Sequence, residues 1–310
     1  MNVLLHYDAG PALKARLGAL PGLSMRFVAE GDDNALFATL PEVDVLWHVL
    51  QSCTAEVIAA APRLRLIQKI GVGVNTIDLA AAAARGIAVC NLPGVNARAV
   101  AEMTLLLMLA CLRRLPDFDA GLRAGRWATP GAVQDRLGEL GGRTVGLVGF
   151  GAVPQVLAPA LAAMGCRVIY TARTARDVPY EYRDLNGLLA EADVVSLHVP
   201  QTTETAGMIN AAALEQMKRG VVLVNTARGG LVDEGALVAA LRSGHVAAAG
   251  LDVFAQEPVK SNNPLFFLEN VVVTPHVAWV TTGTFERAFV VAAENVRRLA
   301  AGEDLLHHVA

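Results

Sequence analysis

Short apolar runs alternate along this chain with longer stretches in which apolar residues recur at helical spacing. Apolar runs of roughly four to eight residues predict buried parallel strands, and the stretches between them predict crossover helices. In the first third of the chain, the predicted strands are Val3–His6, Val43–Val49, Leu64–Ile70 and Ile87–Asn91. The helices predicted beside them are Ala55–Ala61, Ile77–Arg85 and the long Ala97–Arg113.

A second series of strands and helices begins at Thr144, after an irregular stretch, 125–142, that is rich in glycine and turn formers. Its six predicted strands are Thr144–Val148, Arg167–Tyr170, Val194–Val199, Val221–Asn225, Ala247–Val253 and Val271–Thr274. Its predicted helices are Pro154–Met164, Leu185–Glu191, Ala211–Met217 and Glu234–Arg242. Strands joined by crossover helices predict one doubly wound parallel sheet.

The last predicted helix, about Thr282–Ala300, is followed by no further predicted strand, so it is not a crossover helix of the second sheet. We therefore predict that it packs back on the first part of the chain. The predicted fold is α/β, with two doubly wound parallel-sheet domains. We predict a Rossmann-type domain, residues 99–278, inserted into a discontinuous domain, residues 1–98 and 279–310. A length of 310 residues also favours two domains over a single core.

Composition narrows the class of protein. Apolar residues make up 54% of the chain and the net charge is −3, which excludes disorder and gives no basic patch for nucleic acid. The longest apolar stretch, Ala99–Leu112, contains Glu102 and falls short of the ~20 residues of a membrane helix. The four cysteines lack metal-binding spacing, and no basic segment precedes an apolar stretch at the N-terminus. We expect a cytoplasmic enzyme with no metal, membrane span or nucleic-acid partner.

The first strand of the second series is followed by a glycine-rich loop. Gly149 and Gly151 match two glycines of the dinucleotide fingerprint, which allow a close approach of the backbone to a pyrophosphate at a helix N-terminus. Ala152 and Val153 open that helix. Pro154 stands where a third glycine is expected, and proline is acceptable in a first helical turn. A purely structural glycine turn is the alternative interpretation.

The fingerprint also requires an acid about 20 residues further on, to bind the adenosine ribose. The corresponding segment, Tyr170–Thr174, contains no acid, so nothing there repels a 2′-phosphate. Arg173, with Arg176, supplies a planar cation for that phosphate, and Thr171 and Thr174 supply hydroxyl donors. We predict NADP(H) as the preferred cofactor and NAD(H) as the alternative. If these arginines are only solvated loop residues, the preference disappears.

Three ionisable residues, Arg228, Glu257 and His276, each follow an apolar run that predicts a buried strand. Ligands of an open parallel sheet bind outside the carboxyl ends of its strands, so we expect these residues at one edge. A cation, a carboxylate and an imidazole suit binding of an acid and proton transfer near neutral pH. Beside a nucleotide, they predict redox chemistry at a carbonyl or alcohol.

Several segments together resemble the D-2-hydroxyacid dehydrogenase family. They are Val148–Gly151, His198–Pro200 with Thr205, Asn225–Asp233, Leu251–Phe254 with Glu257–Pro258, and Thr274–His276. The missing acid makes the chain most similar to the glyoxylate/hydroxypyruvate reductase branch. The chain departs from the family pattern at Pro154, and at Met103, where many relatives place a histidine.

The resemblance implies that His276 protonates the carbonyl oxygen, that Glu257 favours the protonated imidazole, and that Arg228 binds the carboxylate of a 2-oxo acid. It implies that the amides of Val72 and Gly73 receive the other side of that carboxylate. The implied cofactor residues are Gly149, Gly151, Ala152, Val153, Thr171, Arg173, Thr174, His198, Val199, Pro200, Thr205, Thr226, Ala227, Arg228, Asp252, His276 and Ala278. The resemblance also implies that residues 99–278 form the dinucleotide-binding domain and that the discontinuous domain is a flavodoxin-like substrate domain. A homodimer is implied as well, with Ala97–Arg113 and Arg126–Leu140 as its contact segments.

The predicted reaction is the reduction of a small 2-oxo acid, such as glyoxylate or hydroxypyruvate, to the D-2-hydroxy acid. The alternatives within the family are phosphoglycerate, phosphite and formate dehydrogenases. The first of these favours more basic residues than the loop 71–75 offers. A different class is a dinucleotide-sensing binding protein similar to transcriptional corepressors of this fold, which carry long additional tails. Structural alternatives also exist: Arg228 in a surface ion pair, Glu257 in an exposed turn, and Asp252 as a turn cap.

Overall fold

The computed structural model describes residues 1–127 and 130–310, and the chain divides into two compact units. Unit 1 comprises residues 1–96 and 281–310, and unit 2 comprises residues 97–280. The predicted junctions, after residues 98 and 278, each lie two residues from the observed ones. The last helix belongs to unit 1, where Asn295 donates a hydrogen bond of 2.7 Å to Gln68.

The described residues form twelve strands and twelve α-helices, besides short 3₁₀ helices at Leu40–Glu42, Gly229–Leu231 and Pro264–Phe267. The strands are β1 (Asn2–His6), β2 (Ser24–Val28), β3 (Val45–His48), β4 (Leu66–Lys69), β5 (Ala88–Cys90), β6 (Thr144–Val148), β7 (Arg167–Thr171), β8 (Glu181–Tyr182), β9 (Val194–Leu197), β10 (Val221–Asn225), β11 (Val246–Leu251) and β12 (Val271–Val273). The helices are α1 (Pro11–Gly18), α2 (Asp33–Thr39), α3 (Ala55–Ala59), α4 (Leu79–Ala84), α5 (Ala97–Arg113), α6 (Leu115–Arg123), α7 (Gly131–Gln134), α8 (Ala152–Ala163), α9 (Leu185–Glu191), α10 (Ala211–Gln216), α11 (Glu234–Arg242) and α12 (Thr282–Ala301).

Each unit is built on one parallel sheet. The five-stranded sheet of unit 1 has the order β2-β1-β3-β4-β5, which is flavodoxin-like. The seven-stranded sheet of unit 2 has the order β12-β11-β10-β9-β6-β7-β8, in which the chain reverses direction across the sheet between β6 and β9. This is the Rossmann order with one added strand. The predicted α/β fold with two doubly wound parallel sheets is confirmed.

Helices cover both faces of the sheet in unit 2. On one face, α5 and α8 pack on the strands through Leu107, Met108, Leu157 and Leu161. On the other face, α9, α10 and α11 supply Leu188, Leu214, Leu237 and Leu241. Strands buried on both sides need the continuous apolar runs that the sequence shows. Within the part of the chain that is described, no helix has the length and apolar character needed to cross a bilayer.

The predicted elements differ from the structure mainly at the sheet edges. The prediction of six strands in the second sheet is wrong, because β8 adds a seventh. Strand β2 and helices α1 and α2 were not predicted either, since their side chains are mostly exposed and carry a weak apolar pattern. The stretch predicted as irregular, 125–142, contains the short helix α7. Residues 128 and 129 of that stretch lie outside the described residues.

Candidate active site

The carboxyl ends of six strands of unit 2 lie side by side. The strand register places in one row Thr171, Val148, Leu197, Asn225, Leu251 and Val273. The residues predicted from the sequence to bind cofactor or to act on substrate follow these positions closely, except for Thr205, Glu257 and the two residues of unit 1. The sheet therefore brings them to one edge, around the point between β6 and β9 where ligands of doubly wound sheets bind.

His276 and Glu257 form a direct hydrogen bond at this edge. The distance between His276 Nδ1 and Glu257 Oε2 is 2.6 Å, and Glu257 Oε1 accepts a bond of 2.9 Å from the Phe254 amide. Burial acts to raise the pKa of Glu257, but the bond to His276, its charge and the Phe254 amide outweigh burial, so the pKa lies below its ordinary value. Because Nδ1 is engaged, Nε2 is the nitrogen left to exchange a proton with a ligand.

The turn that carries His276 is held by Asp252, which is completely buried. Its Oδ1 accepts bonds from the Thr274 hydroxyl (2.5 Å) and the Val277 amide (2.9 Å), and its Oδ2 accepts one from the Ala278 amide (2.9 Å). Burial raises the pKa of Asp252 although these three donors oppose the shift. Asp252 therefore caps the turn, whereas its predicted role in binding the cofactor stays a prediction.

His276 itself has a left-handed backbone, with φ of 55°. A non-glycine residue in this region needs support from its surroundings. The His276 amide donates to the Asp252 carbonyl at 2.8 Å, and its carbonyl accepts a bond of 3.1 Å from the Trp279 indole. These bonds fix the direction in which the imidazole leaves the backbone.

Arg228 follows β10 on a tight turn. Asn225 holds this turn, since its amide group donates to the Arg228 carbonyl (2.8 Å) and accepts from the Ala227 amide (3.0 Å). Burial lowers the pKa of Arg228 and the charge of Glu257 opposes this, yet a guanidinium stays charged near neutral pH. Asn225 received no role from the sequence, although a polar residue ending an apolar strand, with a turn after it, is the signal of such an Asx turn.

The glycine loop after β6 has the geometry of an anion site. Gly149 has φ of 99°, and a Cβ atom there would lie 2.6 Å from the His198 carbonyl oxygen. A Cβ atom on Gly151 would meet no atom within 4 Å, so the loop is open on that side. Within residues 1–127 and 130–310, the amides of Ala152 and Val153 at the start of α8 have no protein acceptor. A helix N-terminus with open amides fits the pyrophosphate of a dinucleotide.

The turn after β7 presents basic side chains. The Tyr170 hydroxyl fixes this turn, accepting from the Arg176 amide at 2.7 Å and donating to the Arg176 carbonyl at 3.1 Å. Arg173 and Thr174 are exposed at its tip, while Thr171 ends the strand. Arg173 forms no ion pair with any described residue, whereas the nearby Arg167 is paired with Glu181 and Glu191.

The remaining predicted cofactor residues lie in the loops after β9 and β10, except for Ala278, which follows β12. His198 Nε2 bonds to the Ser196 hydroxyl at 2.9 Å, and burial lowers the pKa of His198 to about 3, so its imidazole is neutral. The Thr205 hydroxyl donates to the Pro200 carbonyl at 2.7 Å and shapes that loop. The Thr226 hydroxyl lies 2.8 Å from that of Thr104 on α5. These side chains organise the loops, and Val199, Ala227 and Ala278 contribute backbone and small apolar surface beside them.

The predicted substrate residues Val72 and Gly73 lie in unit 1, in the loop after β4. The carbonyls of Gly71 and Val72 accept hydrogen bonds from Leu92 (2.8 Å) and from the Asn91 side chain (2.9 Å). Among the described residues, the amides of Val72 and Gly73 find no acceptor. Two open amides suit a carboxylate oxygen. In the same described part of the chain, no group of three or more His, Cys, Asp or Glu residues has the arrangement of a metal site.

A doubly wound sheet with an open glycine loop and an Arg, Glu and His set at its carboxyl edge is the architecture of a dinucleotide-binding dehydrogenase. The model of the D-isomer specific 2-hydroxyacid dehydrogenase, NAD binding domain, matches residues 105–278, more than half of the chain. The chain belongs to this family of dehydrogenases, and the predicted resemblance is confirmed.

Relatives with different names match at similar levels. The D-3-phosphoglycerate dehydrogenase of Mycobacterium leprae is 45% identical over 289 residues, covering 91% of this chain and 54% of that protein. The glyoxylate reductase of Aeropyrum pernix is 41% identical over 278 residues, covering 86% of this chain and 83% of that one. The structure of an NADPH-dependent glyoxylate/hydroxypyruvate reductase of Sinorhizobium meliloti, with NADP and malonate, is 32% identical with a TM-score of 0.84, covering 100% and 96% of the two chains. The chain thus spans about half the length of the phosphoglycerate dehydrogenases it matches.

Proposed function

We propose that the protein reduces a small 2-oxo acid, of the glyoxylate or hydroxypyruvate type, to the D-2-hydroxy acid with NADPH. The observation that carries this proposal is the hydrogen-bonded pair of His276 and Glu257 at the edge that also carries Arg228. A proton donor oriented by a carboxylate, with a half-buried guanidinium on the turn after β10, is what carbonyl reduction of an acid needs.

Arg228 binds the carboxylate of the substrate in this proposal. A guanidinium presents two parallel N–H donors to a carboxylate, and partial burial strengthens this attraction. The turn held by Asn225 fixes the position of the guanidinium stem. The backbone amides of Val72 and Gly73 are the second proposed carboxylate contact, since both lack a protein acceptor among the described residues.

His276 supplies the proton to the carbonyl oxygen through Nε2. Glu257 accepts from Nδ1, which fixes the ring orientation and stabilises the charge of the imidazolium. After the proton has left, the same bond keeps the neutral ring in the tautomer that can accept a proton at Nε2. The reverse reaction, oxidation of the hydroxy acid, then uses the same pair as a base.

The residues around the glycine loop fit a dinucleotide. Open amides at Ala152 and Val153 would hold the pyrophosphate, and Arg173 with Thr171 and Thr174 would hold a 2′-phosphate. The nicotinamide, when bound, supplies the hydride. The preference for NADP(H) is supported by the lack of an acid in the turn after β7 and by an Arg173 that is not committed to a carboxylate among the described residues.

A substrate panel tests the proposal. Glyoxylate, hydroxypyruvate, pyruvate and 3-phosphohydroxypyruvate are each offered with NADPH and with NADH, and the nicotinamide absorbance is followed. The proposal expects the highest kcat/KM with glyoxylate or hydroxypyruvate and NADPH, and a product of D configuration. Turnover of none of the four acids with either cofactor would contradict it.

D-3-phosphoglycerate dehydrogenase is the second candidate function, favoured by the identity of 45% to a protein of that name. In that case 3-phosphohydroxypyruvate would be the best substrate of the panel. The loop 71–75 has the sequence Gly-Val-Gly-Val-Asn and offers no cation for a phosphate, which favours the first proposal.

We further propose a homodimer formed through 97–113 and 126–140, of which residues 128 and 129 are not described. Apolar side chains are exposed on and next to these segments: Leu106, Leu115, Leu122 and Trp127, the last with 90% of its surface accessible. Such a group of exposed large apolar side chains is typical of an interface. Light scattering on purified protein tests this, and a monomer at micromolar concentration would contradict it.

A cytoplasmic location is proposed as well. Cys53, Cys90, Cys111 and Cys166 are all unpaired and buried. Unpaired thiols are expected of proteins in a reducing compartment. Fractionation of cells that produce the protein tests this location.

A further inference from the structure

Glu234, the first residue of α11, binds both ends of the loop that carries Glu257. Its Oε1 accepts a hydrogen bond of 2.6 Å from the Ala255 amide, where the loop begins. Its Oε2 accepts one of 3.1 Å from the Asn263 side chain, where the loop ends. One carboxylate thus closes the loop 255–263, and Glu257 lies between the two points of attachment.

The partners of this carboxylate are themselves fixed. The Asn263 Oδ1 accepts a bond of 2.9 Å from the Leu265 amide, so its amide nitrogen is turned toward Glu234. At the other end, Phe254 is buried, stacks edge to face on Phe266 with ring centroids 5.7 Å apart, and donates its amide to Glu257. A negative charge is also favourable in the first turn of a helix, where Glu234 stands.

We propose that Glu234 is a positioning residue that holds Glu257 at hydrogen-bond distance from His276. The chain of contacts runs from Glu234 to Ala255, through the adjacent Phe254 amide to Glu257 Oε1, and from Glu257 Oε2 to His276. Each contact is a hydrogen bond to a carboxylate, the stronger kind in proteins. The inference rests on the proposed function, because it assigns Glu234 to the proton donor of that reaction.

Other charges also act on the pair. Arg228 on the turn after β10 attracts Glu257, and Asp252 at the end of β11 attracts the imidazolium. Lys260 lies on the same loop as Glu257. A test of Glu234 must therefore separate the loss of its contacts from the loss of its charge.

The substitution Glu234→Gln removes one contact and keeps the shape. The new side chain can still accept from the Ala255 amide, but its NH₂ group then faces the NH₂ group of Asn263, so the loop is released at its far end. We expect the alkaline limb of the pH profile of reduction to move to lower pH, with kcat/KM at pH ~8.5 about 10-fold lower and at pH ~6 less than about 3-fold lower. KM for NADPH stays within about 2-fold, because the glycine loop is untouched.

Asp233→Asn is the matched control. Asp233 stands one residue earlier, caps α11 by accepting from the Ala236 amide at 3.0 Å, and makes no contact with 255–263 among the described hydrogen bonds. Asparagine is an equally good cap, and the substitution removes the same charge from the same helix end. The pH profile of this variant is expected to equal that of the wild type.

A rescue experiment isolates geometry. In the double variant with Glu234→Gln and Asn263→Asp, the roles of donor and acceptor are exchanged, and the net charge equals that of the wild type. Residue 263 keeps an oxygen for the Leu265 amide. We expect the double variant to recover the wild-type alkaline limb. Asn263→Asp alone places the carboxylate of residue 263 opposite that of Glu234, and we expect it to shift the limb as Glu234→Gln does.

The outcomes distinguish the two proposals. An inactive wild type across the substrate panel contradicts the proposed function. An active wild type whose alkaline limb is the same in Glu234→Gln overturns the positioning role, as does a double variant that stays shifted. NMR titration of the labelled His276 imidazole gives a reading independent of turnover. The inference expects the titration of His276 to move to lower pH in Glu234→Gln and to return in the double variant, and an unmoved titration overturns it.

Discussion

Gly229, the residue after Arg228, allows the turn of Arg228 and the loop of Glu257 to touch. A Cβ atom on Gly229 would lie 1.8 Å from the carbonyl carbon of Phe254, 1.9 Å from its oxygen and 2.4 Å from the Ala255 nitrogen. Carbon atoms in contact are about 3.5–4.0 Å apart, so Gly229→Ala requires the two backbones to separate by roughly 2 Å.

Neither backbone yields easily. Phe254 is buried and Ala255 is bonded to Glu234, so the strain cannot be released by turning one side chain. Overpacking in a well-packed site costs about 1–3 kcal/mol, and a clash between two backbones belongs at the upper end. A displacement of about 1 Å at a catalytic group can cost about 100-fold in rate. We therefore expect Gly229→Ala to lose about 3 kcal/mol of unfolding free energy and about 100-fold in kcat.

The neighbouring glycine offers a matched control. A Cβ atom on Gly230 would approach only the end of the Gln201 side chain, at 2.5 Å, and this exposed side chain can rotate away. Gly230→Ala is expected to cost less than about 1 kcal/mol. Urea unfolding and steady-state kinetics of both variants measure the difference. Equal stability and equal kcat in Gly229→Ala and Gly230→Ala would refute the close packing of these two loops.

Three further predictions concern binding and stability. Arg228→Lys should lower kcat/KM for the 2-oxo acid by about 100-fold, because an ammonium cannot form the two-pronged contact with a carboxylate; kinetics at a saturating level of NADPH measures this. Arg173→Ala should lower kcat/KM for NADPH by about 10–150-fold and leave that for NADH unchanged, since one charge-assisted contact is lost; an equal loss with both cofactors counts against it. Burial and the charge of Lys69 lower the pKa of His48 to about 3, so the unfolded chain takes up a proton near pH ~6.5 that the folded chain refuses. Because of His48, the free energy of unfolding should therefore fall by about 1.4 kcal/mol as the pH falls from ~7.5 to ~5.5. Urea unfolding of His48→Gln should show a smaller decrease over that range.

The elements that could be predicted well are those with a strong apolar pattern, such as α5, β6 and β10, whose predicted bounds are the observed ones. Helices α9 and α11 were predicted at Leu185–Glu191 and Glu234–Arg242, the same bounds as observed, because Asp184 and Asp233 cap them. Strand β8 was missed, since its two residues are both exposed. Ion pairs of Glu181 with Arg167 and Arg183 support its place at the sheet edge. Such ion pairs produce no periodic pattern in the sequence from which the strand could be predicted.

Some features of the candidate site could likewise be predicted from the sequence, and others could not. Arg228 and His276 could be found because each directly follows a strand, and the rule for parallel sheets then places them at one edge. The hydrogen bonds from Ala255 and Asn263 to Glu234 could not be predicted. These two residues lie 21 and 29 positions after Glu234 in the sequence, and only the tertiary fold brings them together. The burial of Asp252 beneath the His276 turn is likewise a property of the packed structure.

The pH profile of kcat/KM for wild type and Glu257→Gln tests most directly whether His276 and Glu257 act as the coupled proton donor. The substitution keeps the size of the side chain and removes the charge that stabilises the imidazolium, and its single oxygen can accept from His276 Nδ1 or from the Phe254 amide but not from both. The donor then loses its proton at lower pH. We predict that the alkaline limb of 2-oxo acid reduction moves down by about one pH unit in Glu257→Gln, whereas an alkaline limb at the wild-type position would contradict the account.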